Sequence, residues 1–379
     1  LEAKKADIFA ANEQDVTETK KKGVSNAFIQ RLTVTDAVFT GIVGQLRTVA
    51  KLSDPIGELM EERTLPNGIL LQKKRFPIGV IAMIYESRPN VTVDVAGLCL
   101  KSGNSVLLKG GSESLATNRV LVACIHSVLQ KFGVAEGAVT FLDDVSHETV
   151  AELLQRSDII DVVIPRGSYA LTSAVAEKSR IPVLYHAAGG ARMYIDKSAN
   201  IDQAIELCVN SKTNKTGVCN ALDVVLVHKN IAEKVLPEID TQLTEKKFVI
   251  RADQQAMNFM PHATKATEED FATEFLDSIL AVKVVDSSDE ALSFIKKHTH
   301  HHTEVLVAEE KKLIEQFINE IDAAGLMINC ASRLHDGGEF GMGAEMGTAT
   351  GKLHARGPVG VKELTTYKWI AYGKGQIKR

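Results

Sequence analysis

IGVIAMIYESRPNVTVDVAGLCLKSGNSVLLK, residues 78–109, is the stretch that decides the fold. Strand-like apolar runs open and close it, and the residues between them follow a helical period. A strand, a helix and a second strand in this order are typical of a unit whose two strands run parallel. The stretch therefore predicts an α/β fold.

The same alternation continues along most of the chain. Further strand-like runs are AVTFL (138–142), IIDVVI (159–164), IPVLY (181–185) and DVVLVH (223–228). With a helical stretch from Asp202 to Ser211, they indicate two doubly wound α/β domains, the second beginning near residue 190. Residues 1 to about 60 predict several helices, and Asn67-Gly68 between apolar runs predicts a hairpin.

Composition indicates an ordinary globular protein and excludes several classes. The chain has 379 residues, 45% of them apolar and 24% charged, which is enough to bury a large core. Its 44 basic and 48 acidic residues leave a net charge of -4, which favours neither nucleic acid nor an anionic membrane. No apolar run approaches the roughly 20 residues needed to span a bilayer. Because the chain begins with Leu1, we expect that an N-terminal piece is missing.

The five cysteines lie far apart and fit neither a disulfide framework nor a zinc-ligand spacing. This usage predicts a reducing compartment, which we take to be the cytoplasm. Four of them stand in apolar surroundings that predict burial as small hydrophobic residues. These four are Cys99, Cys124, Cys208 and Cys330.

Cys219 has a different setting. It follows Lys212, Lys215 and Gly217 in a polar segment that enters a strand. Neighbouring cations and backbone N–H groups lower the pKa of a thiol and favour the nucleophilic thiolate. Cys219 is therefore a candidate nucleophile, and the alternative is a semi-exposed loop thiol.

Two corners between a strand and a helix are candidate phosphate or ribose sites. In SVLLKGGSES, Lys109 ends a strand before Gly110 and a helix, where an anion is favoured. In VVIPRGSYAL, Gly167 permits the turn and Ser168 suits a helix N-cap. Such corners are also common without a ligand, and the lack of GxGxxG argues against an ordinary Rossmann dehydrogenase.

Two further segments invite a functional interpretation. The cluster His298, His300, His301 and His302 lacks acidic or cysteine partners at a metal-motif spacing, so we expect a solvated loop and no metal. The glycine-rich run DGGEFGMGAEMG, residues 336–347, predicts a loop of special geometry.

Five segments together carry a resemblance to a known family. They are YESRPNVTVDVAGLCLKSGNSVLLKGGSES, VIPRGS, KTNKTGVCNALDVVLVH, GGEFGMGAEMGTATGKLHARGPVG and LTTYKW. In their order and in the identity of their residues, these segments are similar to the gamma-glutamyl phosphate reductases of the aldehyde-dehydrogenase superfamily. The resemblance extends along almost the whole chain. The resemblance implies a dinucleotide-binding domain at 1–61 and 77–189 and a catalytic domain at 190–355. It also implies an oligomerisation hairpin and tail at 62–76 and 356–379, and hence a homo-oligomer.

The resemblance assigns roles to individual residues. Cys219 becomes the nucleophile, and Asn90 the amide that completes an oxyanion hole. Lys109 matches the lysine that holds the adenine ribose, Glu274 the glutamate on the nicotinamide ribose, and Gly167-Ser168 the turn beside the pyrophosphate. Candidate groups for the substrate's carboxylates or phosphate are Arg88, Arg333 and Arg356, each of which could equally be a structural ion pair.

Two positions indicate which reaction and which cofactor are used. NAD-preferring relatives carry a glutamate where this chain has Ser112, so the resemblance favours NADP(H), although Glu113 is adjacent. Hydrolytic relatives carry Glu-Leu-Gly-Gly, whose glutamate activates water, where this chain has Ala187-Ala188-Gly189-Gly190. An enzyme whose thioester must avoid water has reason to lack that base.

The resemblance implies NADPH-dependent reduction of L-glutamyl 5-phosphate to L-glutamate 5-semialdehyde and phosphate in proline biosynthesis, through a cysteine thioester. A functional link to glutamate 5-kinase follows from the lability of the acyl phosphate. The chain departs from the family at HAAGGARMYID, at NCASRL and at Phe294. Two alternatives stay open, an acylating reductase that uses an acyl-CoA and a non-catalytic oligomeric paralogue.

Overall fold

The computed structural model describes residues 1–185 and 188–378. The chain divides into two compact units, which are described separately. Within the described residues, the first unit comprises 1–185, 341–347 and 358–378, and the second comprises 188–340 and 348–357.

The first unit begins with three helices, as the sequence predicted. A short 3-10 turn, Glu2–Lys4, leads into α1 (Lys5–Lys21), α2 (Asn26–Leu32) and α3 (Asp36–Lys51). The Ser25 and Thr35 hydroxyls accept the N–H groups of Phe28 and Val38 and so cap α2 and α3.

The predicted hairpin is present and belongs to a sheet of three antiparallel strands. It consists of β1 (Leu59–Thr64) and β2 (Leu70–Pro77), joined through Gly68 at a φ of 81°. The third strand lies near the C-terminus, at 365–372, and pairs with β2 along its whole length. Every residue of β1 is exposed.

The parallel sheet of the first unit has the order β5-β4-β3-β6. Its strands are β3 (Val80–Tyr85), β4 (Ser105–Lys109), β5 (Val139–Phe141) and β6 (Val162–Arg166). The helices are α4 (Pro89–Lys101), α5 (Leu115–Lys131), α6 (His147–Leu153) and α7 (Tyr169–Lys178), with 3-10 turns at Ser112–Ser114 and Glu136–Ala138. The unit predicted from residues 78–109 is thus confirmed as β3, α4 and β4.

One strand prediction in the first unit was wrong. IPVLY, 181–185, forms no extended strand and makes a single bridge, from Val183 to Val163. The segment is buried without continued pairing: Ile181 and Val183 pack into the apolar cluster behind β6, while Val183 alone forms a bridge to that strand.

The second unit contains a seven-stranded parallel sheet in the order β10-β9-β11-β8-β7-β12-β13. Its strands are β7 (Ala191–Ile195), β8 (Leu222–His228), β9 (Val249–Ala252), β10 (Thr264–Lys265), β11 (Ile279–Val285), β12 (Thr303–Val307) and β13 (Gly325–Ile328). The helices are α8 (Ile201–Thr213), α9 (Lys229–Glu245), α10 (Ser288–His298) and α11 (Lys311–Glu320), and 3-10 turns occur at Ala256–Asn258, Asp270–Ala272 and Ser332–Leu334. Beyond them lie the short strands β14 (Thr348–Ala349) and β15 (Gly357–Pro358), and then β16 (Thr365–Tyr372).

Helices cover both faces of this sheet, which explains its uninterrupted apolar strands. Met193 and Ile195 of β7 join the cluster formed with α8 and α9, while Tyr194 between them joins the cluster of α10 and α11. Successive strand side chains point to opposite faces, so both sets are buried. Among the helices in the described residues, none combines the length and the hydropathy of a membrane-spanning segment.

Candidate active site

Cys219 lies in the turn between the end of α8 and the start of β8. Its side chain is partly buried, and its carbonyl oxygen accepts the N–H of Gly190 at 2.6 Å. Cys99 and Cys208 are fully buried, and burial raises the pKa of the Cys208 thiol to about 12. The position of Cys219 is compatible with a reactive thiol, whereas Cys99 and Cys208 are held in packed hydrocarbon.

The prediction that Cys124 and Cys330 are buried was wrong, because both keep part of their surface exposed. Cys330 follows β13, an edge strand that has a neighbour on one side only. Cys124 lies on α5 outside the set of residues that this helix buries. Periodicity identified the elements correctly but not the exposure at their margins.

The turn at Gly189 and Gly190 packs directly against Cys219. A Cβ placed on Gly189 would lie 2.5 Å from the Cβ of Cys219 and 2.5 Å from Oε1 of Glu274. Real Cβ atoms never approach other atoms so closely, and Gly190 adopts a φ of 88° that favours glycine. These two glycines therefore allow the backbone to pass between the thiol residue and the Glu274 carboxylate.

Glu274 is held as a largely buried carboxyl group beside this turn. It accepts the backbone N–H of Gly189. Burial raises the pKa of Glu274, and Asp223 acts in the same direction, while the Gly189 N–H and Arg192 oppose them. The second unit thus brings Cys219 and Glu274, both candidate site residues, to the same two glycines.

Lys212, one of the cations that precede Cys219, is engaged in a buried ion pair. Its Nζ lies 3.1 Å from Oδ1 of Asp223, and both side chains are almost wholly buried. Burial lowers the pKa of Lys212, against the attraction of Asp223. Lys212 is therefore a buried cation paired with Asp223 and not an exposed one.

Asn220, the residue after Cys219, is fixed by the segment that follows β13. The side-chain amide nitrogen of Asn220 donates to the backbone carbonyl of His335 at 2.9 Å. The backbone carbonyl of Asn220 accepts the Ser332 hydroxyl at 2.6 Å. Arg333, a candidate substrate ligand, donates to the Asn220 side-chain oxygen. Sequence reasoning missed three residues of this contact, Asn220, Ser332 and His335. Ser332 lies in NCASRL, one of the departures from the family, but a single sequence does not show that this segment contacts Asn220.

In the first unit, Lys109 and Gly110 stand at the end of β4. Lys109 is buried, and its Nζ lies 3.4 Å from the carbonyl of Gly110. Burial lowers the pKa of Lys109, while Asp144 and Glu113 oppose the shift. A Cβ on Gly110 would lie 2.5 Å from Nδ2 of Asn118, so close packing alone requires that glycine.

Ser112 and Glu113 differ sharply in their surroundings. Ser112 is exposed at the start of a 3-10 turn. The Glu113 carboxylate accepts both the N–H of Ser87, at 2.5 Å, and its hydroxyl, at 2.9 Å. Two charge-assisted hydrogen bonds therefore hold Glu113 at Ser87.

At the second corner, Gly167-Ser168 between β6 and α7, a carboxylate of the protein itself is bound. Ser168 caps α7 by accepting the N–H of Leu171, and its own N–H donates to Oε2 of Glu86 at 2.8 Å. A Cβ on Gly167 would lie 2.5 Å from the same carboxylate oxygen. The Ser168 N–H at this turn thus binds a carboxylate, which shows that the corner accepts negative charge.

Two of the remaining candidates, Asn90 and Arg356, have partners within their own units. The Asn90 side-chain amide donates to Oδ2 of Asp94 at 2.9 Å, and burial raises the pKa of Asp94 to about 6. Arg88 is half-buried at the residue that precedes α4. Arg356 donates to Oδ1 of Asp322 at 2.6 Å in an ion pair.

Ala187, where hydrolytic relatives have a glutamate, lies outside the described residues. Within residues 1–185 and 188–378, no three His, Cys, Asp or Glu side chains form a group that could hold a metal ion.

Comparison with known proteins identifies the family. The aldehyde dehydrogenase family matches residues 6–273. The gamma-glutamyl phosphate reductase of Dehalococcoides mccartyi is 46% identical over 376 residues, covering 98% of this chain and 89% of that protein. That of Xanthomonas campestris pv. campestris is 43% identical over 378 residues, covering 100% and 91%. The crystal structure of the Thermotoga maritima gamma-glutamyl phosphate reductase has a TM-score of 0.96 and 38% identity, covering 100% of this chain and 91% of that one.

The chain therefore belongs to the aldehyde dehydrogenase family, and it is an oxidoreductase. The relatives that it matches along its whole length carry the name gamma-glutamyl phosphate reductase.

Proposed function

We propose that the protein reduces L-glutamyl 5-phosphate to L-glutamate 5-semialdehyde with NADPH, through a thioester on Cys219, in proline biosynthesis. One observation carries the proposal. Cys219 and Glu274, which the family resemblance places at the acyl carbon and the nicotinamide ribose, share contact with the Gly189-Gly190 turn. The names of the relatives support the choice of substrate.

Cys219 performs the covalent step. Its thiolate forms a bond to the acyl carbon, and the bond from that carbon to the phosphate oxygen breaks, so that phosphate leaves with the electron pair. Once the acyl carbon has been reduced, its bond to Sγ breaks, the sulfur leaves as the thiolate, and the semialdehyde is released. Ala187 stands where hydrolytic relatives have a glutamate, so the chain lacks at this position the base that would activate water against the thioester. An oxyanion role for Asn90 is part of the proposal and rests on the resemblance, as do the substrate contacts of Arg88, Arg333 and Arg356.

Lys109, Gly110, Ser112, Gly167, Ser168 and Glu274 are proposed to hold the cofactor, which supplies a hydride to the acyl carbon. The structure supports this fit in two places. At the Gly167-Ser168 turn the Ser168 N–H donates to the Glu86 carboxylate, so this helix N-terminus accepts an anion, and a phosphate would take the place of that carboxylate. Ser112 leaves no carboxylate at its own position, so a ribose 2′-phosphate there meets less repulsion than it would beside a glutamate.

The domain roles predicted from the sequence extend this proposal. We assign oligomerisation to the hairpin and tail, 62–76 and 356–379, because Phe76, Tyr367 and Trp369 of the three-stranded sheet are exposed aromatic side chains. A functional link to glutamate 5-kinase follows from the labile substrate. A cytoplasmic location is included because the thiolate chemistry needs a reduced cysteine.

The test is phosphate-dependent NADP⁺ reduction with pyrroline-5-carboxylate, the cyclised product, as substrate. Cys219→Ala should lose at least about a thousandfold in kcat, because no other group replaces the nucleophile. Cys330→Ala, a second partly exposed thiol, is the matched control and should retain activity. Equal rates in wild type and Cys219→Ala would exclude the covalent mechanism. Activity with coenzyme A and none with phosphate would favour the acyl-CoA alternative, and cofactor binding without turnover would favour the non-catalytic one.

A further inference from the structure

The histidine-rich segment 298–302 is not absorbed by the proposed function. The expectation of a solvated loop was wrong for His302, which is fully buried, with its Nδ1 2.7 Å from the Thr303 hydroxyl at the start of β12. His301 is exposed, and its Nδ1 lies 2.6 Å from the carbonyl of Asp322. His298 ends α10 and packs on Phe294, with ring centroids 4.4 Å apart. The four rings have four different environments.

His300 lies between two backbone carbonyls from distant parts of the second unit. Its Nδ1 is 2.5 Å from the oxygen of Gly189, and its Nε2 is 3.1 Å from the oxygen of Ala272. A neutral imidazole donates from one nitrogen only, and an imidazolium donates from both. The ring lies between the segment before β7 and the segment that leads to Glu274. It donates to both carbonyls only as an imidazolium, and burial lowers the pKa of His300, which favours the neutral ring that donates to one of them.

Both of those segments touch the thiol site. Gly189 packs on the Cβ of Cys219, and its N–H donates to the Glu274 carboxylate. Ala272 stands two residues before Glu274 in the 3-10 turn Asp270–Ala272. A shift of either carbonyl would therefore move the backbone that positions Cys219 or the carboxylate beside it.

We propose that His300 is a positioning residue of the thiol site, which fixes the Gly189 turn against the segment carrying Glu274; the inference rests on the proposed role of Cys219. Its ring gives the Gly189 turn a side-chain contact. Glycines have no side chain with which to anchor themselves, and Gly189 has no room for one. The only side chain that contacts the Gly189 carbonyl among the described hydrogen bonds is the His300 ring.

The test compares His300→Leu, which removes both ring nitrogens, with His300→Gln, whose amide keeps an N–H donor. Cys219 alkylation by iodoacetamide, followed by mass spectrometry of its own peptide, reports on the thiol without requiring turnover. We expect His300→Leu to slow both this alkylation and kcat by about tenfold or more, because small displacements of reacting groups are costly. His300→Gln should recover most of the loss. His301→Asn, which suits the φ of 60° at that position, is the matched control and should behave as wild type.

Wild-type alkylation and turnover in His300→Leu would overturn the proposal. So would equal losses in His300→Gln and His300→Leu when both melt at the wild-type temperature. If His300→Leu does not fold, His300→Phe, which keeps a planar ring without nitrogens, takes its place and is compared with His300→Gln by the same criteria. Failure of the proposed function would instead appear as full activity in Cys219→Ala, and alkylation of Cys219 in the His300 variants would still test the positioning role.

Discussion

The proposed cofactor preference rests on single residues that follow β4. Ser112 is exposed where NAD-preferring relatives place a glutamate, according to the family resemblance, and Glu113 next to it is bound to Ser87. Sequence position alone left Glu113 as a possible source of repulsion. Its two hydrogen bonds to Ser87 fix the position of that carboxylate, which lies close to Gly111.

We predict that Ser112→Glu shifts cofactor preference from NADP⁺ towards NAD⁺. A new carboxylate at this position repels a 2′-phosphate and offers an acceptor to a 2′-hydroxyl. The ratio of kcat/KM with NADP⁺ to kcat/KM with NAD⁺ should fall by about tenfold to a hundredfold, equivalent to about 1 to 3 kcal/mol. Ser112→Gln has almost the same shape without the charge and should change the ratio much less. An unchanged ratio in Ser112→Glu would place the 2′-phosphate elsewhere.

Among the elements, the start of α5 is capped by another helix. Ser114, its own N-cap residue, provides no side-chain cap. Asp15 of α1 takes that place, with Oδ1 3.2 Å from the N–H of Ala116 and Oδ2 2.7 Å from the N–H of Thr117. The same Oδ2 accepts the Thr117 hydroxyl at 2.6 Å. A carboxylate at a helix N-terminus is stabilising, so this contact both completes α5 and docks α1.

We predict that Asp15→Ala lowers the free energy of unfolding by about 3 kcal/mol, because it leaves buried N–H donors without their acceptor. Urea unfolding followed by circular dichroism measures the change. Asp15→Asn keeps an acceptor oxygen and should cost less. Asp7→Ala, on the exposed face of the same helix, should leave the free energy nearly unchanged. A loss in Asp7→Ala as large as in Asp15→Ala would show that α1 propensity, and not docking, is responsible.

The sequence predicted elements better than their contacts. The β3, α4, β4 unit followed from period and turn residues, because those are local properties of 78–109. IPVLY was misjudged because pairing depends on a neighbouring strand that apolar composition does not reveal. For the same reason, Cys219 could be selected from its local setting, while the roles of Gly189, Asn220 and His300 depend on residues more than 20 positions away.

The pH dependence of stability is a property of the whole molecule to which buried groups contribute in opposite directions. Burial lowers the pKa of His335 to about 4, so its neutral form stabilises the fold fully above about 6.5 and less as the pH falls towards 4. Burial raises the pKa of Glu304 to about 7, so its contribution declines as the pH rises from about 4.5 through 7. The two contributions therefore oppose each other between about pH 4.5 and 6.5, and stability should fall on the acid side of this interval through His335 and on the basic side through Glu304.

We predict that His335→Gln flattens the acid side of this profile. Between pH 7.5 and pH 4.5 the wild type should lose about 2 to 3 kcal/mol more than the variant, because the unfolded histidine binds a proton that the buried ring does not. Urea unfolding of both proteins at the two pH values measures the difference, in which the contribution of Glu304 cancels. Parallel losses in the two proteins would mean that His335 takes up its proton without unfolding.

The first unit is interrupted in sequence, since residues 358–378 return to it after the second unit has been completed. Its three-stranded sheet has β2 in the centre, and Asn104 donates to the carbonyl of Leu364 at 2.8 Å. During translation, β2 therefore emerges with one edge unpaired and waits for nearly 300 further residues before β16 leaves the ribosome. The nascent protein must keep that edge from pairing with other chains throughout synthesis of the inserted unit. The charged residues Lys73, Lys74 and Arg75 on β2 are well suited to that protective task.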